Sequence, residues 1–139
     1  MAVKLLIDAA RSYVGVKWRH RGRSKFGIDC IGLVVKSMEA AGIQMRDRLD
    51  YGREPWKDGL EHEMRAHFGE PVLDLKAGDV ITMRGIGQLG AGHVGIVAEK
   101  NGYLTLIHSY NADANSRVTE HRIDEVWENR ISEIFRPFK

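Results

Sequence analysis

Gly92-His93-Val94-Gly95-Ile96-Val97, then Asn101-Gly102, then Tyr103-Leu104-Thr105-Leu106-Ile107-His108 is the stretch that decides how this chain folds. Two short runs of strand-forming residues flank an Asn-Gly pair, the dipeptide suited to a tight turn with two left-handed residues, so the stretch predicts an antiparallel hairpin. Residues 79–83, 117–123 and 131–135 are further runs of this kind, separated by turn-rich stretches such as residues 85–92. The second half therefore predicts an antiparallel sheet of five to six strands. Upstream the period changes to that of a helix. Leu6, Ala9, Ala10 and Tyr13 share one face of a helix over residues 3–14, ended near Gly15. Ile31, Val34, Val35 and Met38 share one face of a second helix that begins at Cys30, with Gly42 placed to cap it. Helices first and strands afterwards, without alternation, give an α+β fold.

Between Ile43 and Pro71 the acidic residues Asp47, Asp50, Glu54, Asp58, Glu61 and Glu63 mark a surface excursion, with a short helix over residues 60–68. The length of 139 residues suits one domain over residues 1–139, and 43% hydrophobic against 29% charged residues excludes the disordered and fibrous classes. Twenty-one basic side chains against 19 acidic leave a net charge of +2, too balanced to announce a nucleic-acid partner, and none is expected. The apolar start Leu5-Leu6-Ile7 is cut short by Asp8 and Arg11, so neither a membrane span nor an export signal is read there.

Cys30 is the single cysteine, which excludes an internal disulfide and leaves a buried spectator or a reactive thiol. Its place at the start of a helix brings the second reading level with the first. Unpaired N–H groups and the positive end of the helix dipole stabilise thiolate over thiol, and the same N–H groups can hold an oxyanion. A nucleophilic thiol needs a base, and imidazole suits that near neutral pH. His62, His67 and His121 lie among charged residues and read as solvated, while His20 lies in a basic stretch. His93 opens one hairpin strand and His108 closes the other, so the turn brings the two rings to one edge of the sheet. There one can act as base while the other orients it. A zinc site on the same pair would need further ligands from Cys30 or Asp113, without usable local spacing. No metal or organic cofactor is expected.

Five segments carry a resemblance: Gly15-Val16-Lys17-Trp18-Arg19-His20-Arg21-Gly22, Asp29-Cys30-Ile31-Gly32-Leu33-Val34, Gly78-Asp79-Val80, Gly92–Val97 and Ile107-His108-Ser109. From about Gly15 to Tyr110 the chain resembles the NlpC-type cysteine peptidases, papain-like enzymes that cut bacterial cell-wall peptides. The resemblance implies a papain-like α+β fold with N-terminal helices packed on the sheet. It implies Cys30 as nucleophile, His93 as general base and His108 as the residue that orients His93. It implies a substrate contact at Asp29, which in that family helps recognise the free amine of the short peptide. Trp18 stands where the family usually has a tyrosine near the oxyanion site, and Ile31 where a serine is common. With His20, these residues complete the expected substrate-binding set. The form Trp-Arg-His-x-Gly-Arg ahead of the cysteine is similar to the branch encoded by tailed phages. A peptidoglycan peptide as substrate, other phage tail proteins as partners, synthesis in the cytoplasm and delivery to the wall in a virion tail follow as expectations. Two other readings stay open: a catalytically weak structural or assembly component of a tail tip, and an amidase or acyl transferase using the same Cys–His chemistry. The cations Lys17, Arg19, Arg21, Arg23 and Lys25 read as an irregular loop. Such a loop is either solvated or steers carboxylate-bearing stems and anionic wall polymers.

Overall fold

The computed structural model describes residues 1–47, 59–84, 91–111 and 115–139. The turn-rich residues 85–90, part of the acidic excursion and Asp113 lie outside them. The hairpin forms as the Asn-Gly pair requires. Asn101 and Gly102 take φ of 54° and 84°, and the register runs from Lys100↔Tyr103 to Ile96↔Ile107. Its arms are β4 (Ala91–Lys100) and β5 (Tyr103–Ser109). Around them β3 (Val80–Arg84), β6 (Val118–Arg122) and β7 (Ile131–Phe135) complete a five-stranded antiparallel sheet in the order β6-β5-β4-β3-β7.

Strand alternation gives the sheet two faces. Val80, Val94, Ile96, Ile107, Val118 and Phe135 point into one cluster with α1 (Ala2–Ser12) and α2 (Cys30–Ala40). Helix α1 buries Leu6, Ile7 and Ala10 there with Tyr13 packed alongside, so the expected face forms, widened by Ile7, with Ala9 at its margin. Helix α2 is buried almost all round through Leu33, Val34, Val35 and Met38, so it lies as the central rod of the α+β layer. The opposite face holds a smaller cluster of Ile81, Met83, Val97 and Leu106, against which Ile123, Trp127 and Ile134 pack. Trp127 belongs to α4 (Glu125–Glu128), a single turn capped by Asp124, whose carboxylate accepts from the Trp127 amide at 3.0 Å. Helix α3 (Leu60–Phe68) falls where the sequence places it and buries Leu60, Met64 and Phe68.

The basic stretch is not irregular throughout. β1 (Arg23–Ser24) pairs with β2 (Gly27–Ile28), and Trp18 bridges to Ile28. Two of its cations have fixed partners: Arg23 pairs with Asp29 at 2.9 Å and Asp47 at 3.0 Å, and the exposed Lys25 donates to the Ser12 carbonyl at 2.6 Å over the Tyr13 ring. No helix among the described residues is long and apolar enough to cross a membrane.

Candidate active site

Asp29 builds the N-terminus of α2. Its extended backbone ends the ribbon, and its Oδ1 accepts from the Gly32 amide at 2.8 Å, an N-cap bond. The same Oδ1 takes Arg23 Nη1 at 2.9 Å, while Oδ2 takes the Arg21 amide at 2.8 Å. This carboxylate, 3% exposed, therefore fastens the basic ribbon to the helix start. Gly32 must lack a side chain here, because a Cβ would stand 2.3 Å from the Gly22 carbonyl oxygen. Just upstream of Asp29, the Ile28 carbonyl accepts from the Ser109 hydroxyl at 2.7 Å, which ties the cysteine segment to the end of β5.

Cys30 follows this cap and is buried at 7% exposure. Backbone N–H groups of Val94, Ile31 and Cys30 itself act on its sulfur. Val94 immediately follows His93, so the thiol lies against the strand that carries the expected base. The expected thiolate is not what the structure favours. Burial, followed by the negative charge of Asp29, pushes the thiol up to about 12 and outweighs the three amides. The helix terminus lends its N–H groups, but withdrawal from water dominates.

The imidazoles form a row across three strands. His93 Nε2 lies 2.6 Å from His108 Nδ1, and His108 Nε2 lies 2.8 Å from His121 Nε2. The row ends where His121 Nδ1 donates to the Arg122 carbonyl at 2.9 Å. Register explains the row. His108 stands opposite Thr119, so His121 is the diagonal neighbour two residues on, within reach of a ring. Continuing the β4–β5 register puts Gly95 opposite His108 and His93 on the corresponding diagonal. A Cβ at Gly95 would come to 3.0 Å from the His108 Cβ, so this glycine gives the ring its space. Burial holds His93 down to about 3, with the positive charges of Arg130 and His121 adding, and burial likewise lowers His108 strongly. Thiol and neutral imidazole are therefore the resting forms.

Aromatic neighbours wall the row in. Tyr110 sets its ring against His93 at 5.1 Å and His108 at 5.6 Å, and Trp127 meets His108 and His121 each at 4.9 Å. Arg130 clamps both walls, donating to the Tyr110 hydroxyl at 2.9 Å and stacking over Trp127 at 4.4 Å. Of the expected substrate contacts, Trp18, His20 and Ile31 are half-buried; Trp18 stacks on His20 at 6.3 Å, and Ile31 packs on the helix-side core. Among the described residues, no group of three or more His, Cys, Asp or Glu side chains is arranged to hold a metal ion.

His121 is the residue the sequence reading missed, since it was read as solvated beside Glu120 and Arg122. Alternation separates it from the first of these: Glu120 turns toward α1 and takes Arg11 Nε and Nη2, each at 2.9 Å, while His121 faces His108. The period of two was the available signal. Tyr110, Trp127 and Arg130 were missed because their approach to the rings depends on pairing distant in sequence.

A cysteine at the N-terminus of a central helix, laid against an antiparallel sheet that bears a ring pair, defines the papain-like class of fold. The chain belongs to the NlpC/P60 family, whose profile matches residues 15–136. It is 29% identical over 125 residues to the Probable endopeptidase NlpC of Escherichia coli (strain K12), covering 88% of this chain and 69% of that protein. An NlpC/P60 family protein from Bacillus cereus ATCC 10987 superposes with a TM-score of 0.72 at 22% identity, over 100% of this chain and 41% of the other. The peptidoglycan hydrolase RipB from Mycobacterium tuberculosis superposes at 0.63 and 19% identity, over 99% and 65%. The chain thus spans about two-fifths of the length of the Bacillus protein and about two thirds of RipB.

Proposed function

We propose that this protein is a cysteine peptidase that hydrolyses amide bonds in peptidoglycan stem peptides. The observation that carries the reading is the His93–His108 bond of 2.6 Å on the strand whose Val94 amide acts on the Cys30 sulfur. In the reaction Cys30 attacks the amide carbonyl as His93 takes its proton, and backbone N–H groups at the start of α2 receive the developing oxyanion. His93 then protonates the leaving amine, and the acyl-enzyme is released by a water that His93 activates. The peptidoglycan hydrolase and endopeptidase named among the relatives support this substrate class. Asp29, Trp18, Ile31 and His20 flank the thiol in sequence; half-buried Trp18 and His20 are the groups offered to substrate, while Asp29 and Ile31 hold the helix start in place. The Trp18-Arg19-His20-Arg21-Gly22-Arg23 form supports delivery in a phage tail, with tail proteins as partners.

The test is digestion of purified cell wall by the parent protein and by Cys30→Ala, with the released fragments analysed on defined muropeptides. The parent should release stem-peptide fragments and the variant none; equal digestion by both removes the proposal. A second reading, a catalytically weak tail component, is favoured by the buried, raised thiol. Alkylation separates the two. Rapid modification of Cys30 below neutral pH supports the peptidase, and modification confined to strongly alkaline solution supports the scaffold.

A further inference from the structure

His121 is a ring of this cluster that the proposed reaction does not use. We infer that His121 is a positioning residue that decides, through His108, which nitrogen of His93 is free to accept the thiol proton. The inference rests on the peptidase reading for its consequence, but its geometry stands apart from it.

The protons can be placed from the one partner whose role is fixed. A carbonyl only accepts, so His121 Nδ1 must carry a proton for its 2.9 Å bond to the Arg122 carbonyl. Neutral His121 then has a lone pair at Nε2, and His108 Nε2 donates to it at 2.8 Å. His108 Nδ1 is left as an acceptor, so His93 Nε2 donates across 2.6 Å. The remaining His93 nitrogen, Nδ1, is the bare one. Every step follows from the one before, and the direction of the whole row is set at the Arg122 carbonyl.

A proton added at the bare His93 Nδ1 reverses the row: the His93 Nε2 proton passes to His108 Nδ1, the His108 Nε2 proton passes to His121 Nε2, the charge comes to rest on His121, and His93 Nδ1 is no longer a base. The groups facing His121 are His108 on β5 with His93 behind it on β4, Arg130 stacked on the adjoining Trp127, and Arg117 across a shared cavity. That cavity, about 300 Å³ and also lined by Thr119 and Trp127, lies beside this end of the row.

The experiment uses the full chain and the variants His121→Leu and His121→Gln, whose carboxamide oxygen can still accept from His108. ¹⁵N-labelled histidine spectra read the tautomer of each ring, and wall hydrolysis is followed against pH. In the parent, His93 and His108 should both carry their proton on Nε2. In His121→Leu the His108 proton should redistribute toward Nδ1 and kcat should fall roughly tenfold or more with KM little changed. His121→Gln should restore the parent tautomers and most of kcat, and should move the acid limb of the pH profile, since an amide cannot be protonated there. Unchanged tautomers in His121→Leu overturn the inference while leaving the peptidase reading intact. A parent without wall hydrolysis whose tautomers nevertheless shift in His121→Leu overturns the peptidase reading and keeps the positioning role. If His121→Leu fails to fold, an acid limb identical in parent and His121→Gln overturns the inference.

Discussion

Mild acid should destabilise this protein before its surface carboxylates titrate, because two buried rings must take up protons to charge. His93 is held at about 3 against 6.5 for a free ring, chiefly by burial. The unfolded chain therefore binds more protons than the folded one between those values, and stability falls as pH falls. The contribution is fully present above 6.5 and leaves progressively below it. At pH 5 the chain is 1.5 pH units below the free-ring value, and at about 1.4 kcal/mol per unit the loss is about 2 kcal/mol for this ring alone. His108 is lowered in the same direction, chiefly by burial, and takes up its own proton on unfolding, so the loss for the pair exceeds that of one ring. Glu61 opposes them. Burial and then its Glu133 neighbour raise it to about 7, so its protonation stabilises the folded state on acidification, by an amount reduced by its solvent exposure. The measurement belongs in a Glu61→Gln background. Urea unfolding there should show a midpoint lower by at least about 1 M at pH 5 than at pH 7.5, for a slope of about 2 kcal/mol per M. Asp74 and Glu120 are lowered by Arg136 and Arg11 respectively, so their losses begin as pH falls through the ordinary carboxylate values of 3.8 and 4.5, below the window measured. A midpoint that stays constant from pH 7.5 to 5 would refute the buried, neutral state of the ring pair.

Two substitutions probe the scaffold. Asp79→Ala should lower stability by roughly 3 kcal/mol, because it removes the bonds at 2.9 and 3.0 Å from Arg136 Nε and Nη2, leaving Nη2 only the Asp74 carbonyl, and leaves the Lys76 amide unmet; thermal unfolding should move down by roughly 10 °C. Gly95→Ala would set a methyl 2.6 Å from Leu106 Cδ1 and 3.0 Å from the His108 Cβ, costing about 1–3 kcal/mol and shifting His108 from His93. Wall hydrolysis should fall more steeply than the urea midpoint, and unchanged hydrolysis would remove the role assigned to this glycine.

Much of the arrangement was written locally. The Asn101-Gly102 turn fixed the register that brings His93 to His108, and the Asp29 cap marked where α2 begins. What stayed hidden depends on distance along the chain. Nothing near residues 131–135 signals that β7 pairs with β3 rather than with the preceding strand β6. The state of Cys30 was misjudged because the helix terminus is visible in sequence whereas the loss of water around the sulfur is a product of packing. The cations at Arg23 and Lys25 looked solvated because Asp29, Asp47 and Tyr13, which hold them, are brought close only by folding.

The row of rings crosses three neighbouring strands, taking one member from each. Its steps are therefore pinned by the spacing of the backbone ladder, roughly 4.8 Å from strand to strand, and not by the wandering of surface loops. To slacken the proton path the chain has to part β4, β5 and β6, two inner strands and one edge of its own sheet. Slow amide exchange in those strands and a lasting ring alignment are thus two readings of a single rigidity.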